Sequence, residues 1–196
     1  MPERRFDALG AEPYSWNEAL VTGRGGGGET GDTEVFEMPL EEYREKREFA
    51  ETPEPGPEAD SGDGRRFVIQ KHDATRLHYD FRLEDEGVLK SWAVTKEPPS
   101  SPGIKRLAIR TEDHPLGYVN FEGVIPEGQY GAGTVEIWDN GTYAPILEGE
   151  PDRNVAQAID RGAIKFRLEG KRLNGGYVLY NFDKKGKEWF FFKMKD

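Results

Sequence analysis

The 196-residue chain contains no cysteine, which excludes a disulfide framework and a thiolate metal site. It has no apolar run approaching the ~20 residues of a membrane-spanning helix, and its N-terminus lacks the apolar stretch of a signal peptide. Residence in the cytoplasm is therefore expected. Histidine is scarce, with three in the chain: His72, His78 and His114. An excess of basic charge is missing as well, with 27 Lys+Arg against 37 Asp+Glu for a formal net charge of −10. That total would ordinarily argue against a nucleic-acid partner. Residues 1–64, however, hold 17 of the acids and 6 of the bases, leaving 20 acids and 21 bases for the rest. The acidity belongs to the front of the chain, and a nucleic-acid partner for the remainder stays open.

The length predicts one domain with extensions. Residues 1–38 carry the tract GRGGGGETGD, few apolar residues and no periodicity, and are expected to be a flexible, acidic extension. Residues 39–49 (PLEEYREKREF) predict a short helix with Glu42 placed to pair with Lys46. The Pro, Gly and acid-rich segment 50–64 cannot continue that helix and is read as a linker. From residue 65 to 196 the pattern is mainly β. Nine strands are expected, among them RFVIQK, RLHYDFRLE, VLKSWAVT, KRLAIRT, GTVEIWD, TYAPILE and AIKFRLEG. Asn140-Gly141 reads as a two-residue hairpin between GTVEIWD and TYAPILE. One helix is expected where Asp152 can cap, Val155, Ala158 and Ile159 form a stripe and Gly162 ends it. Many short strands with one or two short helices predict a mainly β, compact barrel with closed or nearly closed walls. The tryptophans 92, 138 and 189 are expected in its core, and the glycines of FEGVIPEGQYGAGTV in tight turns or at close backbone approaches.

One stretch, QKHDATRLHYDFRLE, combines strand periodicity with reactive chemistry. Leu77, Tyr79, Phe81 and Leu83 fall on one side; His78, Asp80, Arg82 and Glu84 fall on the other. His78 and Asp80 share a face, and His72 can reach the same point if the chain bends near Asp73-Ala74. Two imidazoles and a carboxylate suit a first-row divalent ion with open positions. Arg82 cannot ligate a cation, but its planar fork matches phosphate or carboxylate oxygens. A metal beside an arginine points to an anionic substrate bridging the two. Two other readings stay open from the residues alone. His78, Asp80 and His114 have the composition of a 2-His-1-carboxylate iron triad of an oxygenase, and the barrel could be a non-catalytic repair-docking module tethered by residues 1–38.

Together, FVIQKHDATRLHYDFRLE, LKSWAVTK, KRLAIRTEDHPLGY and FEGVIPEGQYGAGTV resemble the 3′-phosphoesterase domain of the DNA ligase D system of bacterial and archaeal end joining. The resemblance runs from about Tyr43 to the C-terminus, with no polymerase or ligase signature, which implies a stand-alone form. It implies a β-barrel with a crescent-shaped groove that accepts DNA or RNA/DNA primer-template 3′ ends. It also implies a Mn²⁺-dependent site, other divalent transition metals being suited too. Such a site would remove 3′-terminal ribonucleotides and 3′-phosphates, leaving a 3′-OH for a ligase. A separate DNA ligase, a polymerase and Ku are the implied pathway partners.

Carried over by motif, His72, His78 and Asp80 would hold the metal, and Arg82 and His114 the scissile phosphate. Glu112 would orient a neighbouring group and Tyr118 would flank the phosphate, while Ser91, Lys96 and Arg106 match groove positions. KREFAETPEP resembles an N-terminal arm that folds over the site, with Arg47 and Glu54 at functional positions. Glu48 stands where the family usually has aspartate, and Gly117 where it has an acid. A protonated His114 is expected to donate near the leaving oxygen.

Overall fold

The computed structural model describes residues 40–57, 62, 64–146, 155–183 and 185–195. The expected extension 1–38 and the expected cap Asp152 lie outside them. The elements run α1 (Glu41–Glu45), β1 (Arg66–Asp73), β2 (His78–Asp85), β3 (Val88–Val94), β4 (Lys105–Arg110), β5 (His114–Pro115) and a 3₁₀ turn (Leu116–Asn120). They continue with β6 (Gly123–Ile125), β7 (Gly133–Pro145), α2 (Val155–Asp160), β8 (Ala163–Gly170), β9 (Asn174–Asn181) and β10 (Glu188–Lys193). Strands pair in the order β1-β2-β3-β4-β10-β9-β8-β7, and β7 returns to β1. The result is a closed eight-stranded antiparallel barrel, which leaves no open edge along its wall. β6 flanks β7, and β5 pairs with β3 outside that ring. Among the described residues no helix is long and apolar enough to cross a membrane.

Alternation explains the interior. In β8, Ile164, Phe166 and Leu168 are buried while Lys165, Arg167 and Glu169 are exposed. Their inward face meets Phe67, Ile69, Phe81, Trp92, Tyr177, Trp189 and Phe191 in one core. Phe81 stacks on Phe191 and Phe166 with ring centroids 4.8 and 5.6 Å apart. Truncating a ring at that point costs about 3–5 kcal/mol. Trp138 packs against this core without being fully enclosed.

β2 departs from a one-sided strand, because all its residues after His78 are buried. Its second face lies under a separate apolar cluster of Val68, Leu89, Leu116, Tyr118, Phe121, Ile125 and Val135, joined by Leu40, just before α1, and Tyr43 in it. The polar groups on that face are thereby removed from bulk water. The expected α1 pairing is present, with Lys46 Nζ 2.6 Å from Glu42 Oε1. The expected stripe of α2 is present too: Val155 and Ala158 are buried, and Gly162 at φ +80° closes the turn.

The Asn140-Gly141 hairpin does not form. β7 runs unbroken through it, pairing residues 134–142 with β1 and 141–145 with β8. Gly141 serves close approach rather than a turn: a Cβ there would lie 2.0 Å from the carbonyl oxygen of Glu169. It sits where one strand passes from the first neighbour to the last and closes the barrel. A bulge opposite Ile69/Gln70 adds the local bend.

Candidate metal and phosphate site

The barrel register assembles the site. β1 and β2 form a hairpin around residues 74–77, so His72 stands directly across from His78, Gln70 from Asp80 and Val68 from Arg82. The next strand adds Ser91 opposite Arg82 and Ala93 opposite Asp80. Opposed residues on one face have Cβ atoms about 4.5–5.5 Å apart. The turn after Asp73, where a bend was expected, folds β2 back on β1 and brings His72 to the pair.

Hydrogen bonds fix how the imidazoles face. His72 Nε2 lies 2.8 Å from the Gly131 carbonyl oxygen and His78 Nδ1 2.9 Å from that of Arg76. A carbonyl only accepts, so those nitrogens carry the protons and donate. In the neutral rings the lone pairs are then His72 Nδ1 and His78 Nε2. These sit 3.2 and 3.6 Å from the two carboxylate oxygens of Asp80. Lone pair against carboxylate is repulsive unless a cation or proton lies between them. One ligand atom from each of the three residues falls within 4.8 Å of the others. Burial alone would raise the Asp80 pKa, but the Arg82 guanidinium beside it holds it well below the usual carboxylate range. An ionised carboxylate with two imidazole lone pairs, each oriented by a main-chain carbonyl, fits a divalent transition metal.

Arg82 is held on three sides. Its Nε donates to Gln70 Oε1 at 2.9 Å and one terminal nitrogen to Ser91 Oγ at 3.0 Å. The other lies 3.3 Å from Asp80 Oδ2, and the guanidinium carbon stands 4.8 Å from the centre of the Tyr118 ring. Gln70, fully buried, also donates to the carbonyls of Tyr118 and Phe121 at 3.0 and 2.8 Å.

The segment after α1, read as a linker from composition and as part of an arm from the family resemblance, reaches the site through Glu54. Glu54 is 6% exposed. It lies 2.7 Å from Arg47 Nε and accepts a short hydrogen bond from the Tyr118 hydroxyl. Arg47 also reaches Glu112 at 3.3 Å, and Lys46 reaches the other Glu112 oxygen at 3.1 Å. His114, in β5, donates from Nδ1 to the Glu112 carbonyl at 2.9 Å, leaving Nε2 to accept from Arg47 at 3.3 Å. Burial, then the charges of Arg82 and Arg47, push its pKa well below the ordinary histidine value. Without substrate, this arrangement favours the neutral form of His114.

Arg47, Glu54, His72, His78, Asp80, Arg82, Glu112, His114 and Tyr118 line one cavity of about 320 Å³. Ser91 stands behind Arg82, fully buried. Lys96 and Glu48 are exposed, and Arg106 donates to the Glu97 carbonyl at 2.8 Å. None of these three lines the cavity. Gly117 faces the arm: a Cβ there would lie 2.8 Å from Pro55 Cβ. A triad of His78, Asp80 and His114 does not form, because His114 faces Arg47 while His72 completes the cluster. Sequence reasoning missed Gln70, whose one signal is an amide beside the apolar run Phe67-Val68-Ile69. It also missed the carbonyls of Arg76 and Gly131, which no side-chain pattern reveals.

Comparison with known proteins gives the family. The DNA ligase D 3′-phosphoesterase domain matches residues 70–181. The multifunctional non-homologous end joining protein LigD of Pseudomonas aeruginosa is 48% identical over 163 residues, covering 81% of this chain and 19% of that protein. The multifunctional non-homologous end joining DNA repair protein LigD of Mycobacterium tuberculosis strain H37Rv is 46% identical over 160 residues, 80% of this chain and 20% of that protein. The LigD of Mycolicibacterium smegmatis is 44% identical over 159 residues, with 80% and 21% covered. The chain spans about a fifth of the length of these relatives. With the family matched over more than half of its residues, on the strands that carry the cavity, this chain belongs to the DNA ligase D 3′-phosphoesterase domain family.

Proposed function

We propose that this chain is a metal-dependent 3′-end-healing phosphoesterase. It removes 3′-terminal ribonucleotides and 3′-phosphates from DNA or RNA/DNA primer-template ends to leave a 3′-OH. One observation carries the reading: two imidazole lone pairs and an ionised carboxylate converge beside a locked arginine fork in a single cavity. His72, His78 and Asp80 would hold Mn²⁺ or another first-row divalent ion. When bound, the ion supplies neutralisation of charge developing on the phosphate oxygens.

The chain's own groups do the rest. Arg82, fixed by Gln70 and Ser91, binds a non-bridging oxygen without reorganising. Arg47 offers a second fork across the cavity, positioned by Glu54 and Glu112. His114 begins neutral; the negative charge of the substrate phosphate beside it favours the imidazolium, which then donates to the leaving oxygen. Tyr118 and Glu54 close the wall behind Arg82. A separate ligase, a polymerase and Ku are the pathway partners this reading implies.

A labelled primer–template ending in one ribonucleotide or in a 3′-phosphate tests it. Wild-type protein should convert both ends to 3′-OH with Mn²⁺, and neither with EDTA nor after His78→Ala. No conversion by wild type under any metal condition would overturn the proposal.

A further inference from the structure

The metal and phosphate groups leave one element of the cavity wall unused. Tyr130 lines the same cavity as His72, Asp80, Arg82 and His114, yet it is 49% exposed. Its ring belongs to neither apolar core cluster. Two cations from the arm approach it instead: Lys46 Nζ at 5.1 Å and the Arg47 guanidinium carbon at 5.4 Å from the ring centre.

The loop that carries Tyr130 is tied down. Gln129 N donates to the Pro126 carbonyl at 3.2 Å and Ala132 N to that of Gln129 at 3.1 Å. The Gln129 side chain donates to Glu51 Oε2 at 3.0 Å. Gly131, at φ +78°, turns its carbonyl onto His72. The exposed aromatic ring therefore sits on the residue next to the one whose carbonyl orients a candidate metal ligand. A half-exposed ring at the mouth of a phosphate-sized site, with arm cations over part of its surface, is suited to a nucleobase on the surface they leave free. The π-face takes any base by stacking and the cations face its phosphates. The cavity volume of about 320 Å³ is large enough for a group of nucleotide size.

We propose that Tyr130 is the stacking platform for the nucleobase of the nucleotide whose phosphate enters the cavity. The inference rests on the phosphoesterase reading and adds to it a base-tolerant contact that sets how the 3′ end is seated. Purine ends, with the larger π-surface, should seat better than pyrimidine ends.

Two measurements test it in the full chain. The first is steady-state turnover of a 3′-phosphate primer by wild type, Tyr130→Ala, Tyr130→Phe and Tyr130→Trp with Mn²⁺. Tyr130→Ala should raise KM about 5- to 100-fold, with little of the loss in kcat, and the Phe and Trp variants should restore it. An abasic 3′-terminal nucleotide should raise the wild-type KM to a similar extent and add little to the Tyr130→Ala defect. The second is a fluorescence titration with a primer carrying 2-aminopurine at a 3′-OH end, which the proposed activity does not consume. Quenching by wild type, Phe and Trp variants but not by Tyr130→Ala supports the platform. Loss in Tyr130→Phe equal to that in Tyr130→Ala would overturn it in favour of a hydroxyl role, and an unchanged KM and titration in Tyr130→Ala would overturn it outright. Quenching without turnover of any substrate would refute the phosphoesterase reading while leaving the base contact standing.

Discussion

Replacing Gln70 with leucine isolates what the buried amide contributes. Its side chain makes three hydrogen bonds: it accepts from Arg82 Nε at 2.9 Å and donates to the Tyr118 and Phe121 carbonyls at 3.0 and 2.8 Å. Loss of the charge-assisted bond costs about 1.5–3 kcal/mol, and each neutral bond about 0.5–1.5 kcal/mol. Leucine returns about 1–2 kcal/mol through apolar burial. The net expectation is destabilisation by about 2–4 kcal/mol, a sizeable part of the ~5–15 kcal/mol available to a domain. For a domain of this size the melting midpoint should fall by about 4–16 °C. Activity should suffer beyond stability, because Arg82 loses one of its three restraints, with a drop in kcat/KM of at least about tenfold. Thermal unfolding by circular dichroism and turnover at a temperature where the variant is folded measure the two effects. Gln70→Glu supplies the control: it keeps the acceptor for Arg82 but turns an oxygen toward two carbonyls. It should therefore be destabilised at neutral pH and recover as it protonates. A Gln70→Leu variant within about 0.5 kcal/mol of wild type would refute the reasoning.

Further predictions concern the scaffold and pH. Asp139, 2% exposed, accepts from the main-chain N–H groups of Lys171, Arg172 and Leu173 at 2.8–3.0 Å. Asp139→Asn turns an NH₂ toward at least one of these donors and should cost about 2–4 kcal/mol by chemical denaturation. Gly141→Ala places a methyl group against the Glu169 carbonyl. It should loosen the β7–β8 seam, seen as faster amide exchange in residues 141–145 than in the β2–β3 ladder. His114 is held neutral, its folded pKa below the unfolded value. As pH falls below about 6.5 the unfolded chain takes up a proton that the native site refuses, so stability should decline at up to about 1.4 kcal/mol per pH unit until the folded pKa is reached. His114→Asn should flatten the denaturation midpoint between pH 6.5 and 5; an unchanged slope would contradict the neutral assignment.

The sequence made the strand carrying the chemistry legible because period-two alternation survives in β2. Tyr79, Phe81 and Leu83 do point into the barrel, and His78, Asp80 and Arg82 share the other face. Leu77, before the strand begins, is 46% exposed and does not join them. Alternation could not say that the second face is also buried, since α1, the 3₁₀ turn and β6 cover it from distant parts of the chain. Asn140-Gly141 was misleading for a related reason. Its local hairpin preference loses to ladder hydrogen bonds with β1 on one side and β8 on the other, which only closure of the barrel provides. Glu54 sits in a stretch whose prolines and acids read as a spacer; its partners Arg47 and Tyr118 lie 7 and 64 residues away, and only the family resemblance marked it. Lys96 and Arg106 show the converse, matching groove positions by motif while standing outside this cavity.

The measurement that bears most directly on the central claim is a Mn²⁺ titration of the full chain followed by electron paramagnetic resonance of the free ion. Wild type should sequester one ion per chain, and His78→Ala and Asp80→Ala should leave it free. Arg82→Ala should bind at least as well as wild type, since it removes a cation beside the site. Free Mn²⁺ throughout the wild-type titration, or binding that survives loss of His78 and Asp80 yet disappears with Arg82, would contradict a metal centre built from His72, His78 and Asp80.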